Sequence, residues 1–333
     1  MKKIKKNPKV SVIIPLFSQM ECSPSEKFPY FTYVKPIGGC IESVKMQDYK
    51  NMEILLADKK SKKGAGDIRN EAIKRAKGEI IFFICSDAIL VDKDEVSKLV
   101  KVFDKTNADV VIGSSIASKD VAPLFTYLLN IEYEDRERNM GERVVDAGAT
   151  TYFAIKKRVL DDVGGFPIDS TSFKVGNLLF ESGFADWDFC GMLKERGYKI
   201  WHTNKVRVYH VYQTKFLSYF KKQFIQAWYR VAYLKRFRRV REGYATAKMG
   251  IQPLLFLLLP IWLLLGLVSS AIFLNLIYIN LLVIFFWDID VVLKYTKKKK
   301  DIRPLLIFPI SFLRSFMWLA GIVKGAIDFL IRT

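Results

Sequence analysis

Residues 67–87 read DIRNEAIKRAKGEIIFFICSD, and this stretch decides the fold. Its first half, DIRNEAIKRAKG, mixes apolar and charged residues at a helical period, and its second half, EIIFFICSD, is an apolar run of strand length closed by an acid. The same alternation extends to both sides. VSVIIPLF starts at Val10, an amphipathic run covers Ile41 to Met46, and MEILLAD ends at Asp58. After Asp87 come a third amphipathic run, Glu95 to Thr106, and then ADVVIG, the alternation extending to about Ile112. Strands alternating with helices predict an open α/β fold, a mostly parallel sheet with helices on both faces.

In such sheets ligands bind beyond the carboxyl ends of the strands. The residues in that position are Pro15 to Ser18, Asp58 to Ser61 and Ser86 to Ala88. Between the first strand and first helix, Ser18 to Lys35 carries Pro24, Pro29 and the aromatics Phe28, Tyr30, Phe31 and Tyr33 without a period. A loop this long is either a disordered surface segment or a lid over the site.

The rest of the chain has a different composition. Half of the 333 residues are hydrophobic and 26% are charged, and the two populations are segregated. Pro253 to Trp287 contains no charged residue, enough for two closely spaced crossings of about 17 to 20 residues each, with a turn at Ser269 and Ser270. Pro304 to Thr333 differs because Arg314, Lys324, Asp328 and Arg332 fall within an arc of roughly 80° and leave the other face apolar. That stripe favours an interfacial helix over a third span. Gly321 and Gly325 share the charged face, so close helix packing stays open. The expected division is a catalytic domain over 1–245 and a membrane-associated region over 246–333. Spans are expected near 252–270 and 271–290, with the interfacial helix or third span near 304–331.

The net charge of +19 calls for an anionic partner. Basic runs at Lys235 to Arg241 and Lys297 to Lys300 flank the apolar segments, which favours an anionic membrane surface over nucleic acid. The four cysteines, Cys22, Cys40, Cys85 and Cys190, form no CxxC pair, as suits a reduced, cytosolic compartment. The run from Val10 to Phe17 is short and interrupted by Pro15, so it reads as a buried strand rather than a signal peptide. A multi-pass membrane protein with its catalytic part in the cytoplasm is the expected localisation.

Several acids stand where chemistry is expected. Asp58, at a strand end, has oxygens placed to accept a hydrogen bond from the imide N–H of a uracil-like ring, or it serves as a cap or turn residue. Asp87 closes the most apolar strand, where a carboxylate could bridge a hard divalent cation to phosphate oxygens, or simply turn the chain. Asp186 and Asp188, in FADWDF ahead of CGMLKERG, are helix caps, or one is a general base. Of the two histidines, His202 and His210, the second lies in the strand-like VRVYHVY after the acidic pair and is the better ligand candidate.

Read together, these positions resemble the family 2 glycosyltransferases with the GT-A fold. VSVIIPLFS looks like that family's opening strand. CIESVKMQDYKNMEILLAD is similar to its next segment through Cys40, Ser43, Gln47, Tyr49, Glu53 and Asp58, and DIRNEAIKRAKGEIIFFICSD to the one after through Arg69, Asn70, Ala76, Gly78, Glu79 and Asp87. AIKKRVLDDVGGFP and ADWDFCGMLKERGYKI resemble its acceptor-side segments. The resemblance covers Val10 to Tyr212.

It implies an inverting transferase that moves one sugar from a nucleotide-diphosphate sugar to a membrane-bound acceptor, such as a polyprenyl phosphate, a lipid-linked glycan or a precursor of a surface polysaccharide. Pro15, Asp58, Arg69, Ser86 and Asp87 would bind the donor. Asp87 and His210 would hold a Mn2+ or Mg2+ ion, and Asp186 would be the catalytic base. This chain departs from the pattern at Cys85, at Ala185 and at Lys59, Lys60, Lys62 and Lys63, where acids are usual. Those departures define the alternative, a catalytically degenerate scaffold at the membrane. A nucleotidyltransferase would want a Gly-rich basic loop after the first strand, which LFSQMECS does not provide. No Gln/Arg-x-x-Arg-Trp sequence follows Asp186, which favours single-sugar transfer over polymer extension.

Overall fold

The apolar runs become strands, and their period of two divides each run between two faces. In β1 (Val10–Leu16), Val10, Val12 and Ile14 face one core and Ile13 the other. The computed structural model describes residues 7–16, 39–58, 65–120, 122–167, 172–175, 178–181, 185–210, 215–237 and 247–328. Ser18 to Lys35, the lysines at 59, 60, 62 and 63, and Arg332 lie outside them. The chain forms two compact units, Met1–Tyr212 with Arg241–Tyr244, and Gln213–Val240 with Ala245–Thr333.

The first unit runs α1 (Cys40–Lys45), β2 (Met52–Asp58), α2 (Ala65–Arg75), β3 (Ile80–Ile84), β4 (Ala88–Leu90), α3 (Glu95–Thr106) and β5 (Val110–Ile116). It continues through α4 (Leu124–Met140), β6 (Arg143–Val144), β7 (Tyr152–Lys156), α5 (Lys157–Val163), the hairpin β8 (Ser172–Val175) and β9 (Leu178–Glu181), α6 (Ala185–Glu195) and β10 (Ile200–His210). The main sheet has eight strands in the order β2-β1-β3-β7-β5-β10-β4, with β6 on β10. β1, β2, β3, β5 and β10 point the same way, and β4, β6 and β7 oppose them.

Helices cover both faces, which is why the strands read as continuous apolar runs. On one face Phe83, Phe153 and Ile155 pack with Ala72 of α2, Leu160 of α5 and Phe189 of α6. On the other, Phe82 and Ile84 pack with Val44 of α1 and Leu99 and Phe103 of α3. Gly78 lets the α2–β3 turn press against β1: its N–H donates to Ser11 Oγ at 2.7 Å, and a Cβ there would stand 2.5 Å from Ser11 N. The sequence reading lacked β7. This strand inserts antiparallel between β3 and β5, so β3 and β5 share a direction without being neighbours.

The second unit is helical: α7 (Phe216–Phe237), α8 (Ala247–Leu255), α9 (Leu258–Val268), α10 (Ile272–Phe285), α11 (Ile289–Lys299), a 3-10 turn at Arg303–Leu306, and α12 (Ile307–Ala326). Gly250–Val268, Ile272–Lys299 and Arg303–Ala326 are each long and apolar enough to cross a membrane.

The unit is inside out compared with a water-soluble bundle. Leu264, Leu267, Val268, Ile272 and Tyr278 are exposed, while Gln252, Asn280, Asp288, Ser311, Arg314 and Ser315 are buried. Gln252 Nε2 donates to Ser311 Oγ at 3.1 Å and to the Ile284 carbonyl at 3.2 Å; Ser311 donates to Asp288, and Arg314 Nη2 lies 3.4 Å from the same carboxylate. Polar groups paired inward and hydrocarbon turned outward suit a lipid surrounding, where an unpaired polar group has no water to bond. Of the charged stripe of α12, Arg314 is buried and Asp328 bonds to Trp228, while Lys324 stays exposed. Arg314 meets Asp288, and Gly321 and Gly325 meet α7: a Cβ on Gly325 would stand 2.7 Å from the Trp228 carbonyl oxygen, and one on Gly321 would overlap that of Phe224.

Candidate active site

The ends of β3, β4, β7 and β10 bring the site together. The register of β4 on β10 pairs Ala88 with His210, so Asp87, just before β4, meets the last residue of β10. His210 Nε2 lies 3.2 Å from Asp87 Oδ1. His210 is buried, and its carbonyl accepts a 2.6 Å hydrogen bond from Nδ2 of Asn130, a wholly buried residue of α4. The same helix is tied to the end of β5: Glu134 accepts from Ala117 N–H at 3.0 Å and Glu137 from Ser115 N–H.

A second cluster forms where β7 begins. Its antiparallel register, Ile84 opposite Tyr152, sets Thr150 and Thr151 beside Cys85. Cys85 N–H donates to the Thr151 carbonyl at 3.4 Å and Cys85 Sγ to the Thr150 carbonyl at 3.7 Å. Thr150 in turn holds Asp186, in the first turn of α6. Its N–H and its hydroxyl both donate to Asp186 Oδ2, at 2.9 and 2.8 Å. Arg69 of α2 donates from Nη2 to Thr150 Oγ1 at 2.8 Å, and its Nη1 stands 3.6 Å from Asp186 Oδ1.

Cys85 links the two clusters electrostatically. Burial pushes its thiol up to about 12, the negative charges of Asp87 and Asp186 add to that, and Arg69 opposes it. The thiol therefore stays protonated at neutral pH.

Among the described residues no three His, Cys, Asp or Glu side chains converge as a metal cage. Asp87 and His210 alone supply one oxygen and one nitrogen donor. That set fits a divalent cation whose other positions are filled by phosphate oxygens and water, the usual arrangement for ions that work on phosphates.

The residues singled out by sequence fall in different places. Asp87, His210 and Asp186 take part in the clusters, and Ser86 lies in the same turn as Asp87. Arg69, expected on the donor, instead has its guanidinium against Thr150 and Asp186, over the Phe166 ring at 5.2 Å. Pro15 is buried within β1 opposite Ala57, and Asp58 closes β2 opposite Leu16. His202 is structural: its Nδ1 lies 2.7 Å from the Gly141 carbonyl, and burial pushes its ring down to about 4, so it is neutral. Thr150 and Asn130 were not foreseen. A threonine just before an apolar run was the available signal for Thr150, whose placement depends on a strand pairing remote in sequence.

Residues 59–164 match glycosyl transferase family 2. The chain carries a glycosyl transferase family 2 domain. The matched residues of the domain include Arg69, Cys85, Asp87 and Thr150 and end before Asp186 and His210. Two relatives are similar in sequence. The O-antigen chain rhamnosyltransferase RfbN of Salmonella typhimurium is 26% identical over 175 residues, 48% of this chain and 56% of the relative. The O-antigen chain rhamnosyltransferase WbaN of Salmonella anatum is 25% identical over 111 residues, 31% of this chain and 35% of the relative. The chain thus spans about half the length or less of these curated relatives. Among solved structures, the mannosyltransferase PcManGT from Pyrobaculum calidifontis, in complex with GDP-Man and Mn2+, superposes with a TM-score of 0.50 at 14% identity. The match covers 98% of this chain and 89% of that one. At that identity the likeness is one of fold: the family 2 domain is GT-A-like, followed by apolar helices.

Proposed function

We propose that this protein is an inverting glycosyltransferase that moves a single sugar from a nucleotide-diphosphate sugar to a membrane-bound, lipid-linked acceptor in polysaccharide assembly. The observation that carries the reading is the pairing of two unlike carboxylate sites at the carboxyl end of the parallel strands. Asp87 sits with His210, and Asp186 is held by Thr150 with Oδ1 accepting no hydrogen bond among the described residues.

In this reading the donor lies over the ends of β1, β2 and β3, with Asp58 toward the base and Ser86 and Asp87 toward the diphosphate. The acceptor hydroxyl oxygen bonds to the anomeric carbon as the bond to the nucleotide diphosphate breaks, and its proton passes to Asp186. Asp87 and His210 would hold a divalent cation, which neutralises charge on the leaving diphosphate. The apolar helices suit an acceptor carried in a bilayer, and the basic runs at Lys235 to Arg241 and Lys297 to Lys300 support a cytosolic catalytic unit.

The names of the two relatives make a rhamnose donor the first to test. The experiment is a screen of the full chain in detergent against UDP-, GDP- and dTDP-sugars, with and without Mn2+. Thermal stabilisation is expected to grow with the logarithm of donor concentration, followed by transfer to a lipid-linked acceptor. Stabilisation without transfer to any acceptor would favour the second reading, a silent scaffold, which rests on the uncharged Cys85 thiol beside Asp87.

A further inference from the structure

We infer that Thr150 and Arg69 are positioning residues that clamp Asp186, and that Arg69 serves the base rather than the donor. The inference rests on the reading of Asp186 as the general base. Three side chains close a ring: Arg69 donates to Thr150 Oγ1, Thr150 Oγ1 donates to Asp186 Oδ2, and Asp186 Oδ1 faces Arg69 Nη1.

The ring makes the two carboxylate oxygens unequal. Both in-plane positions on Oδ2 are taken by Thr150, one by its N–H and one by its hydroxyl, so that oxygen cannot also receive a proton from a substrate. Oδ1 accepts no hydrogen bond among the described residues, and Arg69 Nη1 stands off at 3.6 Å, beyond bonding length. Of the two oxygens, Oδ1 alone keeps an open acceptor position, on the buried side of the carboxylate.

Arg69 is poorly placed to meet a donor. It is 4% exposed, its fork is turned to Thr150 and Asp186, and the Phe166 ring covers its carbon at 5.2 Å. A buried guanidinium needs a fixed anionic partner, and Asp186 is that partner. Thr150 has a second task. Because its carbonyl accepts from Cys85 Sγ, it sets the base at a fixed distance from the end of β3 and hence from Asp87. A base displaced by about 1 Å from its productive geometry loses about 100-fold in rate.

The test compares Thr150→Val, Thr150→Ser and Arg69→Lys with Asp186→Asn in the full chain, measuring turnover and the donor dissociation constant separately. Thr150→Val keeps the backbone bond and the volume but deletes the hydroxyl. Turnover is expected to fall about 10- to 100-fold with donor affinity unchanged, and Thr150→Ser is expected to restore it. In the Asp186→Asn background, Thr150→Val is expected to add nothing. Arg69→Lys is expected to lower turnover without weakening the donor. A Thr150→Ser enzyme as slow as Thr150→Val, or an Arg69→Lys enzyme whose main defect is in donor affinity, overturns the clamp. A second readout does not depend on activity: the losses in thermal midpoint from Thr150→Val and Asp186→Asn are expected to be less than additive in the double variant. If the wild type transfers no sugar, the functional reading fails, and this coupling alone judges the clamp. Additive losses would then refute it.

Discussion

At the scale of residues, the site depends on which side chains follow β3 and meet the end of β10. Asp87 is the carboxylate that closes β3 where this family's pattern has two, and Cys85 fills the other position with a thiol pushed up to about 12. Asp87→Ala is expected to abolish Mn2+-dependent donor stabilisation, a loss of at least about tenfold in metal affinity. Cys85→Asp is expected to strengthen Mn2+ binding; titrating the metal by donor-linked thermal shift checks both, and an unchanged Cys85→Asp affinity would show that position 85 does not face the ion. Glu95, wholly buried at the start of α3, gives a prediction in pH. Burial pushes its carboxyl up to about 7, against the bond it accepts from Arg207 N–H and the charge of Lys98. A folded value above the unfolded one means that the fold disfavours the charged form. Stability is therefore lost as pH rises from about 4.5 toward 7, and no more is lost above. Glu95→Gln keeps an acceptor for Arg207 and is expected to stabilise the protein at pH 8 relative to pH 4, by up to about 3 kcal/mol. Denaturation of both proteins at the two pH values measures it, and a larger gain at pH 4 would contradict the assignment.

At the scale of elements, α12 has the composition of a span and the contacts of a packed helix. α12 is apolar enough to span a membrane, yet Trp318, Gly321, Gly325 and Asp328 meet α7. Trp318 Nε1 donates to Gln223 at 2.8 Å, and Trp228 Nε1 donates to Asp328 at 3.0 Å. Close approach of the backbones depends on the two glycines. Gly325→Leu is therefore expected to cost about 1 to 3 kcal/mol through overpacking against Trp228 and Val231. Gly250→Ala is the contrast: a Cβ there meets nothing within 4 Å, and it lies inside α8, so it is expected to stabilise by up to about 1 kcal/mol. Thermal midpoints in detergent for the two variants, moving in opposite directions, would bear this out.

At the scale of the whole molecule, the proposal is a cytosolic catalytic unit whose helical unit enters the bilayer as a two-span hairpin. α12 meets the hairpin at Gln252 and Asp288, away from the Ser269–Ser270 turn, and continues beside α7. If the hairpin alone crosses, Thr333 lies on the catalytic side. A tag at Thr333 is expected to react with an impermeant reagent only after the membrane is opened from the cytosolic side. Reaction from the outer face in intact cells would establish α12 as a third crossing.

The sequence by itself determined the α/β class, the strands β1, β2, β3 and β5, the extent of α3, and the apolar character of the last quarter of the chain. These are matters of local period and composition, and each can be read within a window of a dozen residues. It also marked Asp87, Asp186 and His210, because each stands at the end of an apolar run or the start of a helix. The tertiary structure alone decided that β7 inserts antiparallel between β3 and β5, because strand neighbours are chosen by pairing across the chain and not by the strand's own residues. That pairing carries Thr150 to Cys85 and Asp186, and with it the whole arrangement of the base. α4 escaped the sequence reading for a related reason. Its acids Glu134 and Glu137 are buried against backbone N–H groups of β5, so the helix has no polar face turned to water and shows no amphipathic period. The role of the charged stripe on α12 was likewise settled by its partners. A stripe specifies which residues share a face, and only the neighbouring helices decide which of them turn outward, as Lys324 does, and which turn inward, as Arg314 does to Asp288 and Gly321 and Gly325 to α7.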